Sequence, residues 1–308
     1  MDGREACALT EQPKIAVVMS TYNGAEHLRE QIDSVLAQQG VEVRLIVRDD
    51  GSRDATVGIL RGYEAAGALE LLNGDNLGVV GSFLAGLARV PDGYDYIALC
   101  DQDDVWNADK LARAAEVLSG KDNSIPQVYV AEYTFCDAKM SPQGRSHLNR
   151  NGVDYAKMLY ENMTSGNTMV INPALLRLIV GAGREGVYCH DWWISLVGSA
   201  LGELTYDDFS CLQYRRTGSN ASPTGSGELA LLRYRVKTFF AGEGLEMISG
   251  QLRKLDDCFG DTMEPQKREL LHRFLRGGRL AKAFAPVRLR QKMPEELALR
   301  LLFLLGKL

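Results

Sequence analysis

The chain reads as an α/β protein with a mainly parallel central sheet flanked by helices and a helical C-terminal extension. Three observations predict this. Over the first hundred residues, short apolar runs alternate with stretches of helical period in the order βαβαβαβ. Three of those runs are closed by polar clusters, which is where ligands sit in sheets of this kind. From residue 228 onward, Leu- and Arg-rich helix-favouring sequence replaces the alternation.

The elements follow in order. Ile15-Ala16-Val17-Val18-Met19 is a buried strand, and 25–39 is a helix carrying Leu28, Ile32, Val35 and Leu36 on one face. Val43-Arg44-Leu45-Ile46-Val47 gives a second strand and 55–66 a second helix. Leu69-Glu70-Leu71-Leu72 is a third, short strand, 81–88 a helix, and 96–99 a fourth strand. Parallel neighbours joined by such crossovers put helices on both faces of the sheet. Val128-Tyr129-Val130 and Met169-Val170-Ile171 continue the apolar runs, a helix starts at Pro173, and a second, apolar helix over 194–201 follows Trp192 and Trp193. The Gly-, Ser- and Thr-rich stretch 217–227 reads as a mobile loop. The organisation is therefore an N-terminal tail over 1–13, a main domain over 14–227 and a basic helical region over 228–308.

With 308 residues, 45% of them hydrophobic, the chain can bury a large core. Its six cysteines show no C-x-x-C pair or regular spacing, which argues against a zinc ribbon or a disulfide framework and fits a reducing cytosol. Residues 1–14 carry five charged side chains and lack the apolar core of a secretory signal, and no later stretch has the length of a spanning helix. A cytoplasmic location is expected. The net charge of −5 hides an asymmetry: residues 228–308 hold 16 Lys and Arg against 10 Asp and Glu, a surplus of +6, while the rest of the chain carries −11. The two parts should meet different partners, and nothing points to nucleic acid.

The acidic run Asp101-Gln102-Asp103-Asp104 directly follows the fourth strand. Like charges held this close repel unless a cation compensates them, and the oxygen-only donor set suits a hard divalent ion, Mg²⁺ or Mn²⁺. Ser20-Thr21-Tyr22-Asn23-Gly24 closes the first strand and Asp49-Asp50-Gly51-Ser52 the second, so one pocket can collect all three clusters. With Asp49-Asp50-Gly51-Ser52-Arg53-Asp54-Ala55-Thr56, Asn76-Leu77-Gly78 and His190-Asp191-Trp192-Trp193, these pieces stand in the order of the family-2 inverting glycosyltransferases, which the chain resembles over about 14–220. Asp-Gln-Asp-Asp-Val-Trp, His-Asp-Trp-Trp and Tyr-Arg-x-x-Gly-Ser-Asn together look like the bacterial rhamnosyltransferase-type members, which build surface polysaccharides, commonly from dTDP-rhamnose.

The resemblance implies a GT-A, nucleotide-sugar-binding fold and a role for each position. Thr21, Tyr22 and Asn23, with Asp49 and Asp50, hold the base, since an aspartate accepts from a ring N–H; Asp-Gly-Ser is also a common turn. Asp103 ligates the metal that bridges the diphosphate, Asp101 supports the ribose or the ion, and Gln102 contacts the nucleotide sugar. Asn76 and Gly78 let the backbone approach the diphosphate. Asp191 is the general base, the one carboxylate an inverting transfer needs. His190, Trp192 and Trp193 face the acceptor, although a histidine there is also read as a structural partner and one tryptophan as core. The family commonly has histidine where Thr217 stands, and Arg215 or Arg216 is the substitute phosphate ligand, with an exposed basic loop as the other reading.

Between 270 and 294 seven Lys and Arg residues interleave with Leu, Phe and Val and with no acidic residue. Such a segment can lie on the anionic cytoplasmic leaflet, near a lipid-linked saccharide acceptor, or pack on the main domain with its arginines solvated; the last residues can also close a homodimer. The rival enzyme class is a sugar nucleotidyltransferase, which expects a Gly-rich loop with an arginine after the first strand, where 20–25 has one glycine and no arginine. A catalytically inactive nucleotide-sugar-binding subunit is the rival outside enzymes, and it would lack one of Asp101, Asp103 and Asp191.

Overall fold

The computed structural model describes residues 11–149, 151–216 and 243–308. The expected loop 217–227, the boundary at 227/228 and Thr217 lie outside them, as do residues 1–10 of the tail. The first half repeats the expected alternation: β1 (Lys14–Thr21), α1 (Leu28–Leu36), β2 (Glu42–Asp49), α2 (Thr56–Ala65), β3 (Glu70–Asn73), α3 (Gly78–Leu87) and β4 (Tyr96–Cys100). Then come β5 (Val105–Trp106), α4 (Lys110–Ser119), β6 (Gln127–Cys136), β7 (Pro142–Arg145), α5 (Tyr155–Met158), β8 (Val170–Ile171), α6 (Pro173–Ala182), α7 (His190–Leu201) and β9 (Glu203–Arg215). Among the described residues, four helices follow: α8 (Glu243–Phe259), α9 (Pro265–Arg276), α10 (Arg279–Ala283) and α11 (Met293–Leu304).

The strands form one sheet in the order β3-β2-β1-β4-β8-β6-β9-β5, with β7 paired beside β6. Its first four are parallel, and Thr21 lies opposite Asp49, which in turn lies opposite Asn73, while Met19 lies opposite Cys100. The loops after β1, β2, β3 and β4 therefore leave from one edge. Beyond β4 the sheet is mixed, because β8 inserts antiparallel between β4 and β6 whereas β6 and β9 run parallel.

Alternate residues of β1 bury on opposite faces, as a strand covered on both sides requires. Ile15, Val17 and Met19 pack with Leu28, Ile32 and Val35 of α1 and Leu111 and Leu118 of α4. Ala16 and Val18 face Phe83 and Leu87 of α3, Leu175 of α6 and Trp193 and Leu196 of α7. That second cluster also contains Leu252, Leu255, Phe274, Leu299 and Phe303, so the C-terminal helices complete the core of the sheet.

Local chemistry explains where elements start. α6 begins with Pro173 in its first turn and the Asn172 side chain accepting from the Leu175 N–H at 3.0 Å. α7 begins at His190, earlier than the apolar pattern indicates, so Trp192 and Trp193 lie inside it. A Cβ at Gly198 would stand 2.6 Å from Val128 Cγ1, so glycine lets α7 sit directly on β6.

Candidate active site

The loops after β1 and β2 are laced to each other. Thr21 Oγ1 donates to Asp49 Oδ1 at 3.1 Å, and Asp49 Oδ2 accepts from the Gly51 and Ser52 N–H groups at 3.1 and 2.9 Å. Asn23, at φ 48°, donates its N–H to Ser52 Oγ at 2.9 Å and accepts from the Arg53 N–H at 2.8 Å. Asp50 is buried, ion-paired with Arg48, and accepts from the Leu77 N–H at 2.8 Å, which draws the loop after β3 into the same place. There the Asn76 side chain accepts from the N–H of Gly78, which takes φ 72°. The ring of Tyr22 stays open, 46% exposed.

Gln102 clamps the loop after β1 to the loop after β4. Its amide oxygen accepts from the Tyr22 N–H at 2.8 Å and its amide nitrogen donates to the Tyr22 carbonyl at 3.1 Å. A Cβ at Gly24 would stand 2.1 Å from Gln102 Oε1, so the glycine makes room for the clamp.

Around it stand three carboxylates of one run. Burial pushes the Asp101 carboxyl up to about 7, helped by the charges of Asp103 and Asp191, while Lys110 pulls the other way. Burial also raises Asp103, against which His27 and Arg215 act. Asp104 is fully buried and pushed well above the usual carboxylate range by burial and then by Asp101 and Asp103. It accepts from Asn167 Nδ2 at 2.7 Å and the Arg215 N–H at 3.3 Å. Lys110, buried below, donates to the Asn167 carbonyl and lies 3.4 Å from the centroid of the Trp106 ring. Asp101 and Asp103 offer oxygen donors only and lack a full counter-charge, which fits a hard divalent cation.

Asp191 enters from the first turn of α7. Its Oδ1 accepts from Asn162 Nδ2 at 3.0 Å, Cys189 Sγ at 2.8 Å and the Trp192 N–H at 2.7 Å. Among the described residues its Oδ2 accepts only a long bond, 3.3 Å, from the Gly166 N–H. Gly166 and Asn167 are neighbours in one 3-10 turn, so two consecutive residues touch Asp191 and Asp104 and bring the base candidate to the acidic run. His190 is stacked on Phe83 with centroids 4.2 Å apart, and burial lowers its pKa, keeping the ring neutral. Neither of its ring nitrogens has a hydrogen-bond partner among the described residues.

Three expected contacts are corrected. Trp193 is fully buried and stacks with Phe259 at 6.3 Å, and Trp192, also buried, donates its indole N–H to the Met158 carbonyl at 2.6 Å. Both rings are core, because the helix starts before them and turns them inward. Arg215 is buried too: its guanidinium donates to the carbonyls of Asp103 at 3.0 Å and Ala138 at 3.2 Å and pairs with Glu30, so it braces the acidic loop from behind. Arg216 has its guanidinium carbon 3.8 Å above the Phe135 ring. Sequence reading missed Asn162, Asn167 and Lys110. Only Lys110 carried a local signal, four residues after Trp106 at the start of a helix.

A family model described as "Glycosyl transferase family 2" matches residues 16–171. An uncharacterized glycosyltransferase of Rickettsia prowazekii is 28% identical over 224 residues, covering 70% of this chain and 68% of that protein. The dTDP-rhamnosyl transferase RfbG of Shigella flexneri is 28% identical over 192 residues, 57% of this chain and 63% of RfbG, so the match spans somewhat less than two thirds of that relative. Among solved structures, the mannosyltransferase PcManGT of Pyrobaculum calidifontis, in complex with GDP-Man and Mn²⁺, superposes with a TM-score of 0.53 at 16% identity, covering 96% of this chain and 75% of that one. The expected GT-A architecture is the one observed, and the chain belongs to glycosyl transferase family 2.

Proposed function

We propose that the chain is a metal-dependent, inverting glycosyltransferase that moves a sugar, rhamnose from dTDP-rhamnose in the first instance, to a saccharide or lipid-linked saccharide of a bacterial surface polysaccharide. The observation that carries this reading is the 3-10 turn whose Gly166 and Asn167 touch Asp191 and Asp104, which supports one site for base and metal. The rhamnose preference rests on motif resemblance and on RfbG.

The residues divide the work by position. The edge built by Thr21, Tyr22, Asn23, Asp49 and Asp50 receives the nucleotide, with Asn76 and Gly78 beside the diphosphate. Asp103 and Asp101 would hold the cation, which when bound would neutralise charge on the departing nucleoside diphosphate. Asp191 Oδ1 is fixed by Asn162, Cys189 and Trp192, leaving Oδ2 to take the proton of the acceptor hydroxyl. The acceptor oxygen bonds to the anomeric carbon as the bond to the diphosphate breaks on the opposite face, its electron pair leaving with the phosphate. His190, neutral, buried and stacked on Phe83, is the structural partner beside Asp191 rather than a contact to the acceptor. A nucleotidyltransferase fits less well, since the loop after β1 is bound up in Ser52, Thr56 and Gln102 and offers no arginine. The test is release of free nucleoside diphosphate from a panel of nucleotide sugars with Mn²⁺ and with chelator. dTDP-rhamnose should be turned over only with the metal; turnover of no donor, or equal turnover in chelator, overturns the reading.

A further inference from the structure

The C-terminal pair α10 and α11 carries an apolar surface that the enzyme's core does not use. On α11, Leu297, Leu301, Leu304 and Leu305 fall at i, i+4, i+7 and i+8 and share one outward face. Leu297 is 63% and Leu301 53% exposed, and on α10 Leu280 and Phe284, one turn apart, are 67% and 74% exposed. The opposite side of the pair is firmly held: Leu299, Leu302 and Phe303 are buried, and Arg300 donates to the carbonyls of Lys282, Ala283 and Ala285 at 3.0 to 3.2 Å. The exposed stripe is thus a rigid feature of a packed element. Isolated exposed leucines are ordinary, but a continuous face of them marks an interaction site.

Charge decides what covers it. The acidic residues of 270–308 are Glu295 and Glu296, and each is drawn inward, Glu295 to Arg290 at 2.9 Å and Glu296 to Arg300 at 2.6 Å. Several arginines of the basic stretch are likewise occupied, Arg276 by Asp256 at 2.7 Å and Arg288 by the carbonyls of Arg290 and Gln291. Arg279, Lys282, Lys292 and Lys307, in contrast, have no carboxylate partner among the described residues. An apolar stripe accompanied by cations and no uncompensated carboxylate matches an anionic bilayer interface, where apolar side chains enter the headgroup boundary and lysines meet lipid phosphates. A second copy of the chain meets the stripe poorly, because it would set like charges against like.

We propose that α10 and α11 dock the protein on anionic membrane through Leu280, Phe284, Leu297 and Leu301, with Arg279, Lys282, Lys292 and Lys307 on the lipid phosphates. This goes beyond the catalytic reading and depends on none of its residues. The experiment is flotation of the purified full chain, without donor or metal, with vesicles of phosphatidylcholine alone and of phosphatidylcholine mixed with phosphatidylglycerol, alongside gel filtration. Binding is expected only to the mixed vesicles and should fall steeply with salt. Leu297→Glu with Leu301→Glu should lower it at least about tenfold, and Lys282→Gln with Lys292→Gln by about fivefold per charge. Both variants should keep the wild-type melting temperature. Failure to bind the mixed vesicles overturns the proposal, as does undiminished binding of the leucine variant. A dimer in gel filtration that the leucine variant splits also overturns it, in favour of a protein interface.

Discussion

Asp101 concentrates the physics of the site, because a carboxylate enclosed with two others has to keep its proton or find a cation. Its pKa is raised, so the folded metal-free protein binds this proton more tightly than the unfolded chain does, and stability from this group is full at acid pH and declines as pH climbs from about 4 through about 7. Asp101→Asn should therefore stabilise the metal-free protein only slightly at pH 5 and more strongly at pH 8, by on the order of 2 kcal/mol at the higher pH after allowing for the partial exposure of the side chain. Denaturant melts at the two pH values check this, and equal shifts at both would contradict it. Asn162 acts on the base through a 3.0 Å bond to Oδ1. Asn162→Ala should lower kcat about tenfold with donor KM unchanged, a split expected of a residue that orients the base without touching the nucleotide.

At the scale of elements, the loops after the first strands are bound to one another before any ligand arrives, and Gln102 is the tie between two of them. Gln102→Ala should raise donor KM several-fold while kcat stays near wild type, measured by steady-state nucleotide release; an unchanged KM would place the donor elsewhere. Gly202 closes α7 where β9 begins, and a Cβ there would stand 1.9 Å from the Pro126 carbonyl oxygen, a backbone atom that cannot move aside. Gly202→Ala should cost about 1–3 kcal/mol in thermal or denaturant unfolding. Period and turn chemistry made β1 to β4 and their polar ends legible in the sequence, since each strand there is a short, mainly apolar run. β9 was not legible: Asp207 and Asp208 break its pattern, and its partner β6 shifts register between Ala131 and Glu132 to accommodate it. The tryptophans of α7 were misplaced for a related reason, as the helix begins on His190 and Asp191, polar residues that the apolar pattern leaves out.

On the scale of the whole molecule, the C-terminal helices supply Leu252, Phe274 and Phe303 to the same cluster as Val18 and Trp193, so sheet and helices should unfold together. Calorimetry is expected to show one transition, and two separable ones would mean that the shared core contributes little. The charge asymmetry visible in the sequence is seen in the structure as an acidic run at the strand ends and a basic stretch, 270–294, beside the exposed apolar face of α10 and α11. The residue pattern alone could not reveal how Asp191 meets Asp101, Asp103 and Asp104, which only the family resemblance implied, since the turn that joins them, Gly166–Thr168, has no pattern of its own. That convergence is tested most directly by Asp191→Asn, assayed for nucleoside diphosphate release and for metal-dependent donor binding in one preparation. Release should fall by at least about 100-fold with donor affinity intact; turnover close to wild type would remove Asp191 as the base and with it the single site.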